Sequence, residues 1–135
     1  MPPKGRESTL NLTRLAYDQR PRAYQRDYRQ SVVFDSGGRL IGRVANVYVD
    51  DDRNFRFLGV AMRLGFLYFL PKQHLVPVEV IAKEDPDSIT LTIDQQIVES
   101  APTLGDPHAA PDEALQRAAR EHCGLAAVPS EAWQQ

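Results

Sequence analysis

Short apolar runs alternate with turn residues between positions 31 and 104, at intervals of roughly ten residues, a spacing typical of all-β domains. The clearest run covers residues 88–94, where Ile89, Leu91 and Ile93 alternate with polar residues. Successive strand residues point to opposite faces, so these three side chains share one face. The pattern predicts about five or six short strands that form a small barrel or sandwich, and closure into a barrel would remove the exposed strand edges.

The longest predicted strand covers residues 40–50. Ile41 and Val44 are both apolar but three positions apart, which strict alternation would place on opposite faces. A bulge near Gly42 and Arg43 would bring both side chains to one face.

The next predicted strand, residues 55–64, follows a turn and is apolar at both alternating sets of positions. A strand of this kind is covered on both faces, so we expect it to be central. Pro77 cannot donate a ladder hydrogen bond, which predicts an edge or a bulge at that position. The remaining strands are predicted at residues 31–35, 66–70, 75–81 and 88–94.

The two ends of the chain differ from this central region. Residues 1–30 carry seven Lys/Arg and three Asp/Glu, a net charge of +4, and form an irregular basic arm with a short helical turn expected at residues 13–19. Residues 105–135 are expected to contain a linker, a short helix and a tail. Residues 31–104 are then the folded domain.

The C-terminal helix is predicted from its flanking residues. Pro111 suits the first turn, Asp112 and Glu113 complement the helix N-terminus, and Gly124 suits the position after the last turn. The residues expected to share the packed face are Leu115, Ala118, Ala119 and His122.

Three segments together resemble the PRC-barrel domain family. They are Gly38-Arg-Leu-Ile-Gly42 with Val44, the strand end Val47-Tyr-Val-Asp50, and Leu75-Val-Pro77 before an aliphatic strand. The resemblance covers residues 31–104 and implies a small, mostly antiparallel PRC-type β-barrel, here with a C-terminal α-helix and the basic N-terminal arm.

The family resemblance also implies a class of function. Its members are binding and scaffolding modules, such as the cytoplasmic domain of the photosynthetic reaction-centre H subunit and the C-terminal domain of a ribosome-maturation factor. This sequence has neither the membrane helix of the first nor the preceding barrel of the second, so we expect a stand-alone member.

No motif in the sequence indicates catalysis. There is no nucleophile elbow, phosphate loop or dinucleotide fingerprint, and Cys123 is the only cysteine. The three histidines, His74, His108 and His122, lack metal-ligand spacing. We therefore expect no catalytic residue, cofactor or metal. The run Asp50, Asp51 and Asp52 fits a solvated turn, with a weak cation site as the alternative.

The basic arm is the first candidate for partner binding. Arginines pair with phosphates and tyrosines stack on bases, so an RNA- or ribosome-associated factor is one hypothesis. The other is that the arm packs on the barrel or across a dimer, through anchors at Leu10, Leu12, Leu15 and Tyr17. The arm residues proposed to bind a partner are Arg22, Tyr24, Arg26, Tyr28 and Arg29.

The second candidate is the aromatic cluster Phe66, Tyr68 and Phe69, within the longest apolar run. Alternation forces at least one of these rings outward, where the C-terminal helix, a partner protein or a second copy would cover it. No run is long enough to span a membrane, and a single cysteine fits a reducing compartment, so we expect a cytoplasmic protein. The sequence favours a non-catalytic interaction or scaffold module that forms homodimers.

Overall fold

The computed structural model describes residues 12–15, 26–64, 67–68, 73–104 and 109–125. A 3₁₀ turn at Val78–Val80 separates two of the strands. The strands are β1 (Thr13–Arg14), β2 (Val32–Phe34), β3 (Leu40–Val49), β4 (Phe55–Leu64), β5 (Leu67–Tyr68), β6 (Gln73–Pro77), β7 (Ile81–Asp85), β8 (Ser88–Leu91) and β9 (Thr103–Leu104), and the helices are α1 (Gln95–Glu99) and α2 (Glu113–His122).

One sheet contains all of these strands. Its main order is β7-β8-β2-β3-β4-β6-β9, with β1 beside β3 and β5 beside β4. The mainly β fold with a C-terminal helix is confirmed. Within the described residues the sheet stays open between β7 and β9, and β2 runs parallel to β8 whereas the other strand pairs are antiparallel.

The bulge predicted near Gly42 and Arg43 exists at the adjacent Ile41, and β3 has a second irregularity further on. Against β2, the pairing passes from Gly42 to Leu40 and leaves Ile41 without an opposite residue. Against β4, it passes from Val44 to Asn46 and leaves out Ala45. Ile41 and Val44 lie in the same core, as expected, and the second irregularity brings Val47 into that core with Val44.

Both faces of β4 are buried, as its sequence predicts. A further register shift leaves Arg56 without an opposite residue, so Phe55 lies on the same side as Leu58 while Phe57 faces the other way. We call the two sides the inner core and the outer core. The inner core consists of Leu15, Val33, Ile41, Val44, Val47, Val49, Phe55, Leu58, Val60, Val76, Val80, Ile89, Leu91, Ile93 and Val98. The outer core consists of Leu12, Tyr48, Phe57, Leu75, Leu104 and Ala119, with Leu115 packed against it.

The single strand expected at residues 75–81 is wrong. β6 ends at Pro77, the 3₁₀ turn follows, and β7 begins at Ile81. Because proline has no N–H to donate, the ladder with β4 stops there. The turn carries the chain from the β4 side of the sheet to its opposite edge, beside β8.

α2 covers part of the outer core, with its buried face different from the prediction. Asp112 caps the helix by accepting a hydrogen bond from Leu115 N at 2.9 Å, so Pro111 precedes the helix and is not in its first turn. Gly124 has a φ of +79° just past the helix, as expected.

The α2 face predicted from apolar spacing is correct only for Ala119 and, in part, Leu115. Ala118 and His122 are exposed, whereas Gln116 and Arg120 are buried. The Arg120 guanidinium lies 2.6 Å from the Glu79 carboxylate in the 3₁₀ turn, and this ion pair requires that side of the helix to face the sheet.

The N-terminal segment is a strand where a helical turn was expected. Thr13 and Arg14 pair with β3, and Leu15 N bonds to Val47 O, whereas residues 16–19 of the expected turn lie outside the described residues. Leu12 and Leu15 are buried, which confirms the packing predicted for these two anchors. Leu10 and Tyr17 lie outside the described residues.

The approach of β3 to β4 gives a test of the fold. A Cβ at Gly42 would lie 2.2 Å from the Ala61 carbonyl oxygen, a backbone atom that cannot rotate away. We expect Gly42→Ala to lower the free energy of unfolding by about 2 kcal/mol or more, as in overpacked cores. Gly37→Ala is the control, because its Cβ would meet nothing closer than 3.5 Å. Equal losses in denaturant titrations of the two variants would contradict this geometry.

Candidate functional site

Arg26 of the proposed arm site lies against the β7–β8 hairpin. Its guanidinium donates to the carbonyl oxygens of Ser88 and Pro86, at 3.3 and 3.2 Å, and to Ser31 Oγ at 3.1 Å. The Glu84 carboxylate lies 3.8 Å away. The cation therefore anchors the arm to the turn of this hairpin.

Tyr28 bridges the same hairpin and the start of β4. Its hydroxyl donates to Glu84 Oε2 at 2.7 Å, and its ring centroid lies 5.1 Å from that of Phe55. The Arg26 guanidinium lies 5.6 Å from the Tyr28 ring centroid. Burial, followed by the hydrogen bond to Glu84, raises the pKa of Tyr28 to about 12. The phenol thus remains a neutral donor to Glu84 through the physiological range.

Arg29, the third described residue of the arm site, contacts Asp27. Its Nε and Nη2 lie 2.9 and 2.8 Å from the two Asp27 carboxylate oxygens. Arg22 and Tyr24 lie outside the described residues. All three described arm residues thus contact other groups of the same chain, and RNA binding through the arm stays a prediction.

The aromatic cluster is described only through Tyr68, whose backbone pairs with Arg63 in the β4–β5 hairpin. Phe66 and Phe69 lie outside the described residues. β4 pairs with β3 up to Met62 and with β6 up to Val60. The β4–β5 pairing therefore continues beyond the ladders on either side of β4.

The Asp50 side chain organises the β3–β4 turn. Its carboxylate accepts from the backbone N–H groups of Asp52 and Asn54 and from Arg56 Nε. Burial opposes ionisation, but these hydrogen bonds outweigh it and lower the pKa of Asp50. The Asp50 carboxylate therefore serves the turn itself and is largely buried, whereas Asp51 and Asp52 are exposed. No group of three or more acidic, histidine or cysteine side chains suited to a metal occurs within the described ranges.

Sequence reasoning missed a similar role for Asp35. This buried carboxylate accepts from the N–H groups of Gly37, Arg39 and Gln95 at 2.8 to 3.0 Å, and so ties the β2–β3 turn to α1. Burial alone would raise its pKa, but the three backbone donors lower it. An aspartate before Ser36-Gly-Gly was the available signal, since such residues often bond to the backbone of a turn.

A cleft of about 260 Å³ lies beside Asp35. Its walls consist of Asp35, Ser36, Gly37, Arg39, Asp94, Gln95 and Gln96. The Asp35 carboxylate is occupied by three backbone donors, and Asp94 accepts from Ile97 N as the cap of α1. Both carboxylates of the cleft therefore serve the local backbone.

Ser100 and His122 are the only described pair that resembles a nucleophile and its base. Ser100 Oγ lies 3.0 Å from His122 Nε2, which is also 2.8 Å from the Ile97 carbonyl oxygen. A carbonyl only accepts, so Nε2 carries the proton, and Ser100 Oγ donates to Gln96 O at 2.7 Å. Nucleophile activation needs the opposite direction of donation. The pair instead ties α1 to α2.

Two other reactive residue types are also used structurally. His74 is buried, and its Nδ1 lies 3.1 Å from the Ala101 carbonyl oxygen, to which it donates. Burial raises the pKa of Cys123 to about 11, although Arg120 acts in the opposite direction. A thiol with this pKa is almost wholly protonated at neutral pH and is therefore a poor nucleophile. His108 lies outside the described residues.

Comparison with known proteins identifies the family. The family model described as the PRC-barrel domain matches residues 21–97, more than half of the chain. Domains of this family are small interaction domains and are generally non-catalytic. No curated protein matches the chain. Among the described residues, no helix combines the length and apolar character needed to cross a membrane.

The Tyr28 contact predicts a distinctive alkaline titration. Its folded pKa of about 12 lies above the ordinary value of about 10, so its contribution to stability is complete below pH 10 and is lost as the pH rises through about 12. Tyr28→Phe keeps the ring on Phe55 but removes the bond to Glu84, and we expect it to cost about 0.5 to 1.5 kcal/mol.

Tyrosinate absorbance, measured against pH for wild type and Tyr28→Phe, checks this assignment. The difference between the two curves should be a single transition near pH 12. A difference curve centred near pH 10 would show that Tyr28 is solvated and not bonded to Glu84.

Proposed function

Since the chain belongs to the PRC-barrel domain family, we propose that it is a non-catalytic protein-interaction module that self-associates through its β4–β5 hairpin. The residues proposed to contact the second copy are Phe66, Tyr68 and Phe69. RNA binding through the basic arm is the second candidate function. It ranks second because Arg26 and Tyr28 already contact the chain's own β7–β8 hairpin.

The observation that carries the proposal is the extension of the β4–β5 hairpin. It continues past the last pairs of β4 with β3 and with β6, at Met62 and Val60. A two-stranded hairpin by itself is marginally stable in water. The sequence of this one is the longest apolar run in the chain, residues 64–70, between Arg63 and Lys72. An apolar hairpin of this kind gains stability when another protein surface covers it.

The direction of proton donation at Ser100 and His122 supports a non-catalytic role. The imidazole proton is directed at the Ile97 carbonyl, so His122 Nε2 does not act as a base towards the Ser100 hydroxyl. Asp35 and Asp50 are likewise bonded to backbone donors. We also infer a cytoplasmic location, because the sole cysteine suits a reducing compartment.

Sedimentation of hairpin variants tests the proposal. We expect the wild-type chain to form a dimer at micromolar concentration. Phe66→Ser and Tyr68→Ser should each weaken dimerisation by about 30-fold, the effect of losing an aromatic hot-spot residue. Leu40→Ser is the control, because this half-buried residue begins β3, outside the hairpin.

A wild-type chain that sediments at its monomer mass of 15.2 kDa would overturn self-association. Equal dimerisation of the hairpin variants and of Leu40→Ser would instead overturn the choice of surface.

A further inference from the structure

The edge of β3 holds the N-terminal segment as an added strand. β2 pairs with β3 only between Leu40 and Arg43, which leaves the later part of this edge available. β1 pairs there, with Thr13 opposite Val49 and Leu15 N donating to the Val47 carbonyl at 2.8 Å. The segment thus docks through backbone hydrogen bonds, as peptides do when they add to a sheet edge.

Two leucines fix the register of this segment. They are three positions apart, so an extended backbone directs them to opposite faces. Leu12 is 6% exposed and enters the outer core, while Leu15 is 1% exposed and enters the inner core. Thr13, between them, is exposed. The β3 edge is therefore a groove with two pockets, one on each side of the sheet, for an extended Leu-x-x-Leu segment.

The connection between this segment and the rest of the arm is longer than the groove requires. Leu15 N bonds to Val47 O, and Gln30 N bonds to Val44 O. These acceptors are three residues apart on β3, a distance of about 10 Å along a strand. Residues 16–25 alone span up to about 33 Å when extended. The same segment can therefore reach the β3 edge of an adjacent copy.

We propose that two copies of the chain exchange these segments, so that Leu12 and Leu15 of each copy fill the β3 groove of the other. Exchange preserves every contact of β1. The only unfavourable free energy it adds is that of bringing two copies together. The inference rests on the proposed function. Contact between the β4–β5 hairpins of two copies would keep the β3 groove of one copy close to the N-terminal segment of the other.

Photo-crosslinking from Thr13 tests the exchange in the full-length chain. Replacing this exposed residue by p-benzoylphenylalanine leaves both leucines and the Leu15 N–H in place. An exchanged segment gives a covalent dimer of twice 15.2 kDa on a denaturing gel, with the crosslink at residues 47–49. The same label at exposed Asp52 is the control for random collision and should give no such dimer.

A competing peptide shows whether the groove is responsible. A synthetic peptide of residues 9–18 should suppress the covalent dimer. The peptide N-methylated at Leu15 keeps the Leu12 and Leu15 side chains but cannot donate to Val47 O, and the peptide with Ser in place of Leu12 and Leu15 loses both anchors. We expect each to be about 100-fold less effective.

Crosslinks confined to single chains at micromolar concentration would overturn the exchange, as would suppression by the N-methylated peptide at equal potency. The outcome is separable from the hairpin proposal. If the hairpin substitutions weaken dimerisation but Thr13 crosslinks only within its own chain, exchange alone is refuted. If the Phe66→Ser and Tyr68→Ser variants still dimerise and Thr13 crosslinks between chains, the hairpin surface alone is refuted.

Discussion

The pairing of β3 with β4 is the constraint on which the rest of the structure depends. At Gly42 the two backbones approach too closely for any Cβ. Register shifts at Ala45 and Arg56 then distribute the apolar side chains of both strands between two cores. Both faces of this pair are apolar, so the chain must cover both. β2, β8 and Val98 of α1 lie on one side, and α2 with Leu12 lies on the other.

Three charged side chains of the described residues hold these covering elements in place. Asp35 joins the β2–β3 turn to α1, Arg120 joins α2 to Glu79, and Arg26 joins the arm to the β7–β8 turn. Groups that serve as internal supports in this way are poorly suited to chemistry on a substrate. Backbone pairing at a sheet edge, as where β1 adds to β3, instead suits a family of interaction domains.

Sequence pattern predicted the features that depend on neighbouring residues. The alternation at Ile89 and Leu91 identified β8 and its buried face, and the two-sided apolar pattern of β4 identified the central strand.

Features set by distant contacts were missed. Tyr28 bonds to Glu84, 56 positions away, and β1 exists only because β3 offers an edge to it. Pro77 predicted an interruption of the strand but not the 3₁₀ turn. The turn forms because the chain must cross from β6 to the far edge of the sheet, where β7 pairs with β8. For the candidate site, the apolar run located the β4–β5 hairpin, whereas its extension past the neighbouring ladders required the pairing register.

Native-state hydrogen exchange at Leu15 tests most directly whether the N-terminal segment belongs to the cooperative fold. Its amide donates to Val47 O and its side chain lies in the inner core. The account predicts that this amide exchanges only with global unfolding, at the same free energy as the amides of β3 and β4. Exchange of the Leu15 amide at the rate of an unprotected peptide, while β3 and β4 remain protected, would contradict it.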